Sequence, residues 1–458
     1  MLWRKIESEG LGQYSYLLGD GGEALVVDPR LDIEEYEASL ARSGYRLRYI
    51  LETHRHEDYV VGSVELGEIT GAETWHADRE LDYKYNAGIK DGQEWAVGAL
   101  KVRAVATPGH TRGHMSFVLH DRQGSPWMVF SGDALLAGSV GRTDLLGENE
   151  MAELTEHLYD SIFGRLLPLG DEVILCPTHG SGSACGGGPI ADRPWTTIGF
   201  ERRHNPLLSS SREEFVRENA KVHDSPPYFR DIAWRNLLGP RISKGSMRPM
   251  PLDPEAFAEK SAGAVVLDVR EPESFGGAHV PGSINIYWGG VSTFTGWFFS
   301  CERPLLAVLA TDDPEQLARA LLRIGYGPLE GYLAGGMHAW YSAGLPTAQI
   351  ECVTAAETRR RAGGGTAAGD RPGGADGGFV LDVRSPEELE SDGEIPGALN
   401  IPVRHILDHL AEIPQDRTVT IFCGSGRRSM IAASLLRARG WEKLIVVLGG
   451  VRGWMGAG

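Results

Sequence analysis

Apolar runs that stop at a polar residue set the pattern of the first 240 residues: "LRYILETH" ends at His54, "KVRAVATPGH" at His110, "WMVFSGD" at Asp133 and "EVILCPTH" at His179. Runs of this kind read as strands, and strand ends in layered α/β folds gather at one sheet edge. Four such ends, with "THRHED" setting His54, His56 and Asp58 on alternate positions, predict imidazoles and carboxylates meeting around a cation.

The second half follows another pattern and uses it twice. "AVVLDVREPESF" at 264–275 matches "FVLDVRSPEEL" at 379–389, "HVPGSINI" at 279–286 matches "EIPGALNI" at 394–401, and "LAGGMHAW" at 333–340 matches "LGGVRGW" at 448–454. Asp268 to Asp382 and Gly335 to Gly449 are each 114 apart, and Asn285 to Asn400 is 115. Each copy reads as a helix, a strand ending in Asp-Val-Arg, a turn, a second strand and a helix, which predicts a parallel α/β sheet. The expected domains are 1–245, 246–350 and 351–458. Within the last, "GGGTAAGDRPGGADGG" holds eight glycines in sixteen residues and is read as a flexible loop.

Composition narrows the classes. A chain of 458 residues with 42% hydrophobic and 23% charged residues is of ordinary globular type. A net charge of −17 argues against nucleic-acid or anionic-membrane partners. No apolar run reaches the roughly 18 residues of a membrane span, and "MLWRKIESEG" lacks a signal-peptide core, so a cytoplasmic location is expected. The cysteines at 176, 185, 301, 352 and 423 are odd in number, well separated and form no CxxC pair. That argues against a disulfide framework or structural zinc and leaves individual thiols for chemistry.

"THRHED", "TPGHT", "SGD" and "CPTHG", in that order over residues 1–240, resemble the metallo-β-lactamase superfamily, and within it the glyoxalase II and persulfide dioxygenase branches. The resemblance implies an αββα sandwich with metal at one sheet edge. In the dinuclear pattern, His54, His56 and His110 take one ion, Asp133 bridges, and Asp58, residue 59 and His179 take the second. Tyr59 breaks that second set, because a phenol titrates near about pH 10 and is a poor ligand at neutral pH. The iron branch implies a single ion on His54, His110 and Asp133, a facial triad with open positions suited to a persulfide sulfur and dioxygen. One Fe(II) is the implied cofactor, with zinc as the alternative. The implied reaction turns a thiol persulfide, oxygen and water into thiol and sulfite.

The neighbours follow from the same resemblance. His56 is either a ligand or sits beside the metal. Asp58 and His179 remain from the absent second site and orient water or substrate, while His114 packs without ligating. Tyr59 is wall, or its hydroxyl reaches a bound sulfur. Arg142, in "GRTD", is expected near substrate. Cys185, in "GSGSACGGG", is expected to have an accessible thiol, either incidental or an acceptor of persulfide sulfur.

"TVTIFCGSGRRSMIAASLLRARGW" reads as a strand running into Cys423, a short loop and an amphipathic helix. Gly424 and Gly426 let backbone N–H groups curl round one point, a helix starting near Arg428 aims its positive end there, and Arg427 and Arg428 add charge. Together these favour a nucleophilic sulfur and hold an attached persulfide anion. The CxxGxRS form resembles the active-site loop of rhodaneses, single-cysteine sulfurtransferases. That resemblance makes Cys423 and Arg428 catalytic, with Gly424, Ser425, Gly426, Arg427 and Ser429 as the persulfide cradle. The middle copy has "TDDPEQ" at this loop, without cysteine and with two aspartates, and so reads as an inactive copy used for docking. Its aromatic stretch "YWGGVSTFTGWFF" at 287–299 suits an interface.

Read together, the chain resembles a persulfide dioxygenase fused to tandem rhodanese domains. The expected partners are a thiol persulfide of glutathione, coenzyme A or a bacterial thiol, with oxygen, sulfite and thiosulfate, in a homo-oligomer. Two other readings stay open: a glyoxalase II-like zinc thioester hydrolase with an appended sulfurtransferase, and a non-catalytic sulfur carrier or scaffold.

Overall fold

The computed structural model describes residues 1–85, 87–242, 247–361 and 378–455, so nearly all of the glycine-rich stretch lies outside the described residues. The chain forms two compact units, Met1–Lys244 with Arg319–Tyr326, and Gly245–Ala318 with Gly327–Gly458.

The first unit is built on two six-stranded sheets. One runs in sequence order through Leu2–Ser8 (β1), Gln13–Asp20 (β2), Glu23–Val27 (β3), Arg46–Glu52 (β4), Glu73–His76 (β5) and Ala87–Gly88 (β6). The other contains Glu94–Val97 (β7), Leu100–Ala106 (β8), Met115–His120 (β9), Pro126–Gly132 (β10), Ile174–Pro177 (β13) and Thr196–Thr197 (β14), in spatial order β14-β13-β10-β9-β8-β7. Leu135–Leu136 (β11) and Ser139–Val140 (β12) form a small hairpin beside it.

Alternation along the strands makes this a sandwich. In β3, Leu25 and Val27 enter one core while Ala24 and Val26 enter another; in β9, Phe117 and Leu119 split from Val118 in the same way. The shared core between the sheets holds Leu25, Leu51, Val102, Phe117 and Phe130. The outer faces are closed by the helix Glu34–Ser43, through Tyr36 and Leu40, and by the helix Glu148–Ser161, through Leu158. The result is the expected αββα arrangement, because period-two strands with both faces apolar need a layer on each side.

Strand direction then assembles the site. Both β8 and β10 are antiparallel to β9, and β13 is parallel to β10. Thus the strands leading to His110, Asp133 and His179 all finish at one edge, as do the parallel β3 and β4 in the other sheet.

The second unit repeats one parallel topology. Pro251–Leu252 (β15), Val265–Asp268 (β16), Ile284–Asn285 (β17), Leu305–Val308 (β18) and Gly331–Leu333 (β19) lie in the order β15-β19-β18-β16-β17. Glu351–Thr354 (β20), Phe379–Asp382 (β21), Leu399–Asn400 (β22), Val419–Phe422 (β23) and Leu444–Leu448 (β24) lie as β20-β24-β23-β21-β22. The repeated residues build one device twice. Arg270 clasps Asp268 and Arg384 clasps Asp382, all buried. The Asn285 amide donates to the carbonyls of Asp268 and Arg270, and that of Asn400 to those of Asp382 and Arg384.

Removing one partner of such a pair leaves an uncompensated buried charge. Arg384→Ala is expected to destabilise the second unit by about 3–5 kcal/mol, read as a lowered denaturation midpoint for the Cys423-bearing fold; an unchanged midpoint would reject the clasp as a stabilising feature.

Candidate functional site

His54, His110 and Asp133 come together at the sheet edge, each contributing one donor atom within 4.8 Å of the others and all buried. His54 Nε2 lies 3.7 Å and His110 Nε2 3.4 Å from Asp133 Oδ2. Donors about 2.0–2.2 Å from one ion are separated by roughly these distances.

Hydrogen bonding fixes which ring nitrogen faces the cluster. His110 Nδ1 donates to the Arg142 carbonyl at 2.8 Å, so Nε2 carries the lone pair. His54 Nδ1 lies 2.9 Å from Thr53 Oγ1, whose hydroxyl donates to Asp28 Oδ2 at 2.8 Å and therefore accepts from the ring. Burial, reinforced by neighbouring histidines, holds His54 well below the usual imidazole range, and burial also lowers His110. Asp133 is lowered to about 2: burial works against ionisation, but His179 and then His110 outweigh it. Two neutral imidazoles and one carboxylate are the donor set a divalent cation requires.

Two glycines make the convergence possible. At Gly132, with φ +54°, a Cβ would meet His114 Nε2 at 2.2 Å, and at Gly141 a Cβ would meet the Asp133 carbonyl oxygen at 1.9 Å and His110 Nδ1 at 3.1 Å. His114 Nε2 accepts the Asp133 N–H at 3.0 Å while Nδ1 contacts Thr107 Oγ1 at 2.9 Å, so His114 props Asp133 and does not join the cluster.

His56 stands outside the triad: its Nε2 is 3.1 Å from Asp28 Oδ1, and its buried Nδ1 has no partner. The unmet His56 Nδ1 and Asp58 Oδ1 are polar atoms left to be satisfied, which fits a charged guest nearby. Tyr59 is fully buried, with its hydroxyl donating to the Asp28 carbonyl at 3.3 Å. His179 lies between two carboxylates, Nδ1 at 2.8 Å from both Asp133 oxygens and Nε2 at 2.9 Å from Asp58 Oδ2. Although burial opposes it, Asp133 and Asp58 raise His179 well above the ordinary imidazole value. Asp58, His179 and Cys185 form a second buried group with donor atoms within 4.8 Å of one another.

One expectation needs correction. Cys185 is not accessible: it is 2% exposed, and burial, with Asp58 and Asp133 nearby, drives its thiol well above the normal range. Its glycine-rich loop turns inward because the Cys185 carbonyl accepts the Arg142 N–H at 3.0 Å. Arg142, expected near substrate, reaches the site through its backbone, and its guanidinium faces the surrounding loops. That group is 1% exposed, paired with both Asp144 oxygens at 2.7 Å and donating to the carbonyls of Ala184, His223 and Asp224. It clamps the surrounding loops, and its own carbonyl orients His110.

Sequence reasoning missed Asp28. Its carboxylate receives the Thr53 N–H and hydroxyl at 2.8 Å, the Thr178 hydroxyl at 2.6 Å and His56 Nε2 at 3.1 Å. Burial pushes its pKa up, but His56, Thr178 and Thr53 bring it below the usual carboxylate value. The signal was present: "ALVVD" is a fifth apolar strand ending in a polar residue.

In the second unit, Cys423 is buried at the end of β23, ahead of the helix Arg427–Arg437. The Gly426 N–H donates to Sγ at 3.0 Å, from a residue at φ +103° that only glycine adopts readily. The segment after β24 takes up the loop carbonyls: Val451 N–H donates to Cys423 O at 2.8 Å, Gly449 N–H to Ser425 O at 3.0 Å and Arg452 N–H to Gly424 O at 3.3 Å. With its carbonyls bonded to that segment, the loop has N–H groups left for the sulfur, which explains the "LGGVRGW" motif. Ser425 is exposed, and Ser429 is buried with an unpartnered hydroxyl.

The paired arginines are not bare charges, contrary to the sequence expectation. Arg428 binds Glu388 through two contacts of 2.6 and 2.5 Å, and Arg427 binds Glu271 at 3.1 and 3.2 Å while lying 4.9 Å over the Tyr287 ring. Glu271 and Tyr287 come from the middle copy, whose aromatic stretch also sets Trp297 6.1 Å from His405.

Layered sheets with a buried histidine and aspartate cluster at one edge define a metal-binding sandwich, and the loop around Cys423 defines a thiol-carrying parallel domain. Residues 9–217 match the metallo-beta-lactamase superfamily, and residues 253–343 and 368–457 each match the rhodanese-like domain. The chain is 32% identical over 223 residues to "Persulfide dioxygenase ETHE1, mitochondrial" of Bos taurus, spanning 48% of this chain and 81% of that protein. It is 28% identical over 218 residues to "Hydroxyacylglutathione hydrolase GloC" of Haemophilus influenzae, spanning 43% and 92%. A crystal structure of a metallo-beta-lactamase from Staphylococcus aureus shares the fold with a TM-score of 0.64 at 24% identity, over 73% of this chain and 99% of that one. The chain belongs to the metallo-beta-lactamase superfamily and carries two rhodanese-like domains after that fold.

Because Asp28 orients His54 through Thr53 and holds His56 directly, Asp28→Asn is expected to weaken divalent-metal affinity about 10–100-fold. Chelator competition with zinc as the probe measures this, and native affinity would remove Asp28 from the metal argument.

Proposed function

We propose that the first unit oxidises the terminal sulfur of a low-molecular-weight thiol persulfide to sulfite, and that Cys423 interconverts persulfide and sulfite with thiosulfate. The carrying observation is the convergence of His54 Nε2, His110 Nε2 and Asp133 Oδ2 while position 59 holds a tyrosine whose hydroxyl is bonded to Asp28. That set fits one ion with open positions. A ferrous ion held by His54, His110 and Asp133 supplies the redox chemistry with dioxygen that zinc lacks.

The reaction balances as persulfide, dioxygen and water giving thiol, sulfite and two protons. His179 carries a proton between Asp58 and Asp133 and fixes the Asp133 carboxylate. Tyr59 and Cys185 stay neutral and act as wall; the same burial that raises them excludes water from that side. In the second unit, the Cys423 thiolate attacks a sulfane sulfur and releases the leaving anion, while the loop N–H groups hold the new persulfide. We read residues 1–245, 246–350 and 351–458 as dioxygenase, inactive copy and transferase, joined so that a shared sulfur intermediate is kept at high local concentration. Five cysteines and no disulfide among the described residues support a reducing compartment such as the cytoplasm; among the described residues no helix is long and apolar enough to cross a membrane.

A second reading, a zinc thioester hydrolase, is favoured by the likeness to the Haemophilus influenzae hydrolase and by the Asp58, His179 and Cys185 group as a further donor set.

Metal analysis of anaerobically purified chain and an oxygen electrode separate the two. About one iron per chain with oxygen uptake on glutathione persulfide is expected; two zincs with thioester cleavage and no oxygen uptake would overturn the proposal. His110→Ala should lose oxygen uptake by more than the roughly 10–100-fold typical of a ligand's neighbour yet keep thiosulfate sulfurtransfer, and Cys423→Ser should do the reverse.

A further inference from the structure

The two copies differ where they meet. Glu271 stands at the repeat position of Ser385, and Tyr287 at that of Pro402. These two divergent residues are the ones that contact Arg427, four residues beyond Cys423. Resting on the assignment of Cys423 as the sulfur-carrying nucleophile, we propose that the middle copy, which has no cysteine at the equivalent loop position, completes its anion-docking site. Glu271 and Tyr287 hold Arg427 as an exchangeable guanidinium that receives the sulfonate oxygens of thiosulfate or sulfite.

The two arginines have separate tasks. Arg428 is fixed: its pair with Glu388 is bidentate, with side chains 25% and 32% exposed, and Glu388 is itself anchored by the Ser385 N–H at 3.0 Å. The Arg427 pair with Glu271 is longer and half exposed, at 50% and 52%. Such a pair is weak and screened by salt, so a dianion offering two oxygens to one guanidinium displaces the single carboxylate. Tyr287 keeps the guanidinium at the mouth when Glu271 lets go, because the ring face attracts the cation with or without the carboxylate. Burial raises the Tyr287 phenol, with the two arginines opposing and the Cys423 sulfur and Glu271 adding to it.

The step needs no further reagent. The Cys423 thiolate attacks the outer sulfur of thiosulfate, the bond between the two thiosulfate sulfurs breaks, and sulfite leaves with the electron pair. Arg427 is placed to hold that sulfonate as reactant or product. Glu271 returns when it departs, so the carboxylate competes with the anion and sets its affinity. The middle copy is thus a specificity element for small sulfur oxoanions.

The test uses the full chain with thiosulfate as sulfur donor and cyanide as acceptor. Glu271→Gln should lower KM for thiosulfate about two- to fivefold, the range that corresponds to losing an exposed ion pair. Arg427→Gln should raise that KM and flatten its dependence on ionic strength. Tyr287→Ala should raise KM at an unchanged melting midpoint, and Tyr287→Phe should restore it, because the ring face and not the hydroxyl carries the cation. A thiosulfate KM unmoved by both Glu271→Gln and Arg427→Gln overturns the docking site. Cys423→Ser still taking up sulfane sulfur from thiosulfate, read by intact mass, overturns the underlying nucleophile assignment, so the two failures are told apart.

Discussion

The metal-binding edge rests on the buried carboxylate of Asp28. Asp28 adopts φ +51° without being glycine, a backbone state that persists only where the surroundings enforce it. Four donors from three residues on two segments enforce it: the Thr53 N–H and hydroxyl, the Thr178 hydroxyl and His56. A charge taken from water is tolerated when each lone pair meets a donor. Through Thr53 it sets the tautomer of His54, directly it holds His56, and through Thr178 it fixes the residue before His179. Asp78, at φ +49°, does the same one shell away, receiving Arg55 N–H, the Thr111 hydroxyl and Gly113 N–H and so tying the loop of His54 to the loop of His110.

The two centres solve opposite electrostatic problems. At the sheet edge, burial keeps the imidazoles of His54 and His110 neutral, and a single carboxylate supplies the charge, so a cation is drawn to a region poor in water. At Cys423 the proposed guest is an anion. There the backbone N–H of Gly426 faces the sulfur, the loop carbonyls are bonded to Gly449, Val451 and Arg452, and each nearby arginine is balanced by a glutamate. Balanced arginines let the site discriminate among anions, where two bare ones would attract any of them.

Strand ends, the repeat and the Cys423 loop were legible because each depends on neighbours close in sequence: alternation within one strand, or a turn of a few residues entering a helix. The gathering of ligand residues was legible because several strand ends agreed, while the choice of His54, His110 and Asp133 among them came from the family resemblance. What escaped depended on distant partners. The burial of Cys185 follows from its backbone pairing with Arg142, and the orientation of the Arg142 guanidinium follows from Asp144 together with carbonyls near 184 and 223. The pairing of Arg427 with Glu271 spans 156 positions, and nothing local to either residue announces it. Asp28 was a different kind of miss, since its strand-end pattern was the one used elsewhere, and only its role as a hub needed the fold.

Duplication shows how a site is lost without losing the scaffold. The middle copy keeps the Asp268–Arg270 clasp and the Asn285 amide bridge that the third copy also builds. What changed is the loop before the helix Pro314–Arg323, where Leu309 stands at the repeat position of Cys423 and Asp312 and Asp313 stand at those of Gly426 and Arg427. Asp313 accepts the Glu315 N–H at 2.8 Å, and acidic groups at a helix N-terminus stabilise it. The same charges repel a persulfide. Discarding the nucleophile therefore favoured the helix, and it freed the residues after the Asp268 and Asn285 strands from serving a local cysteine. Glu271 and Tyr287 are those residues, and they now serve the neighbouring one.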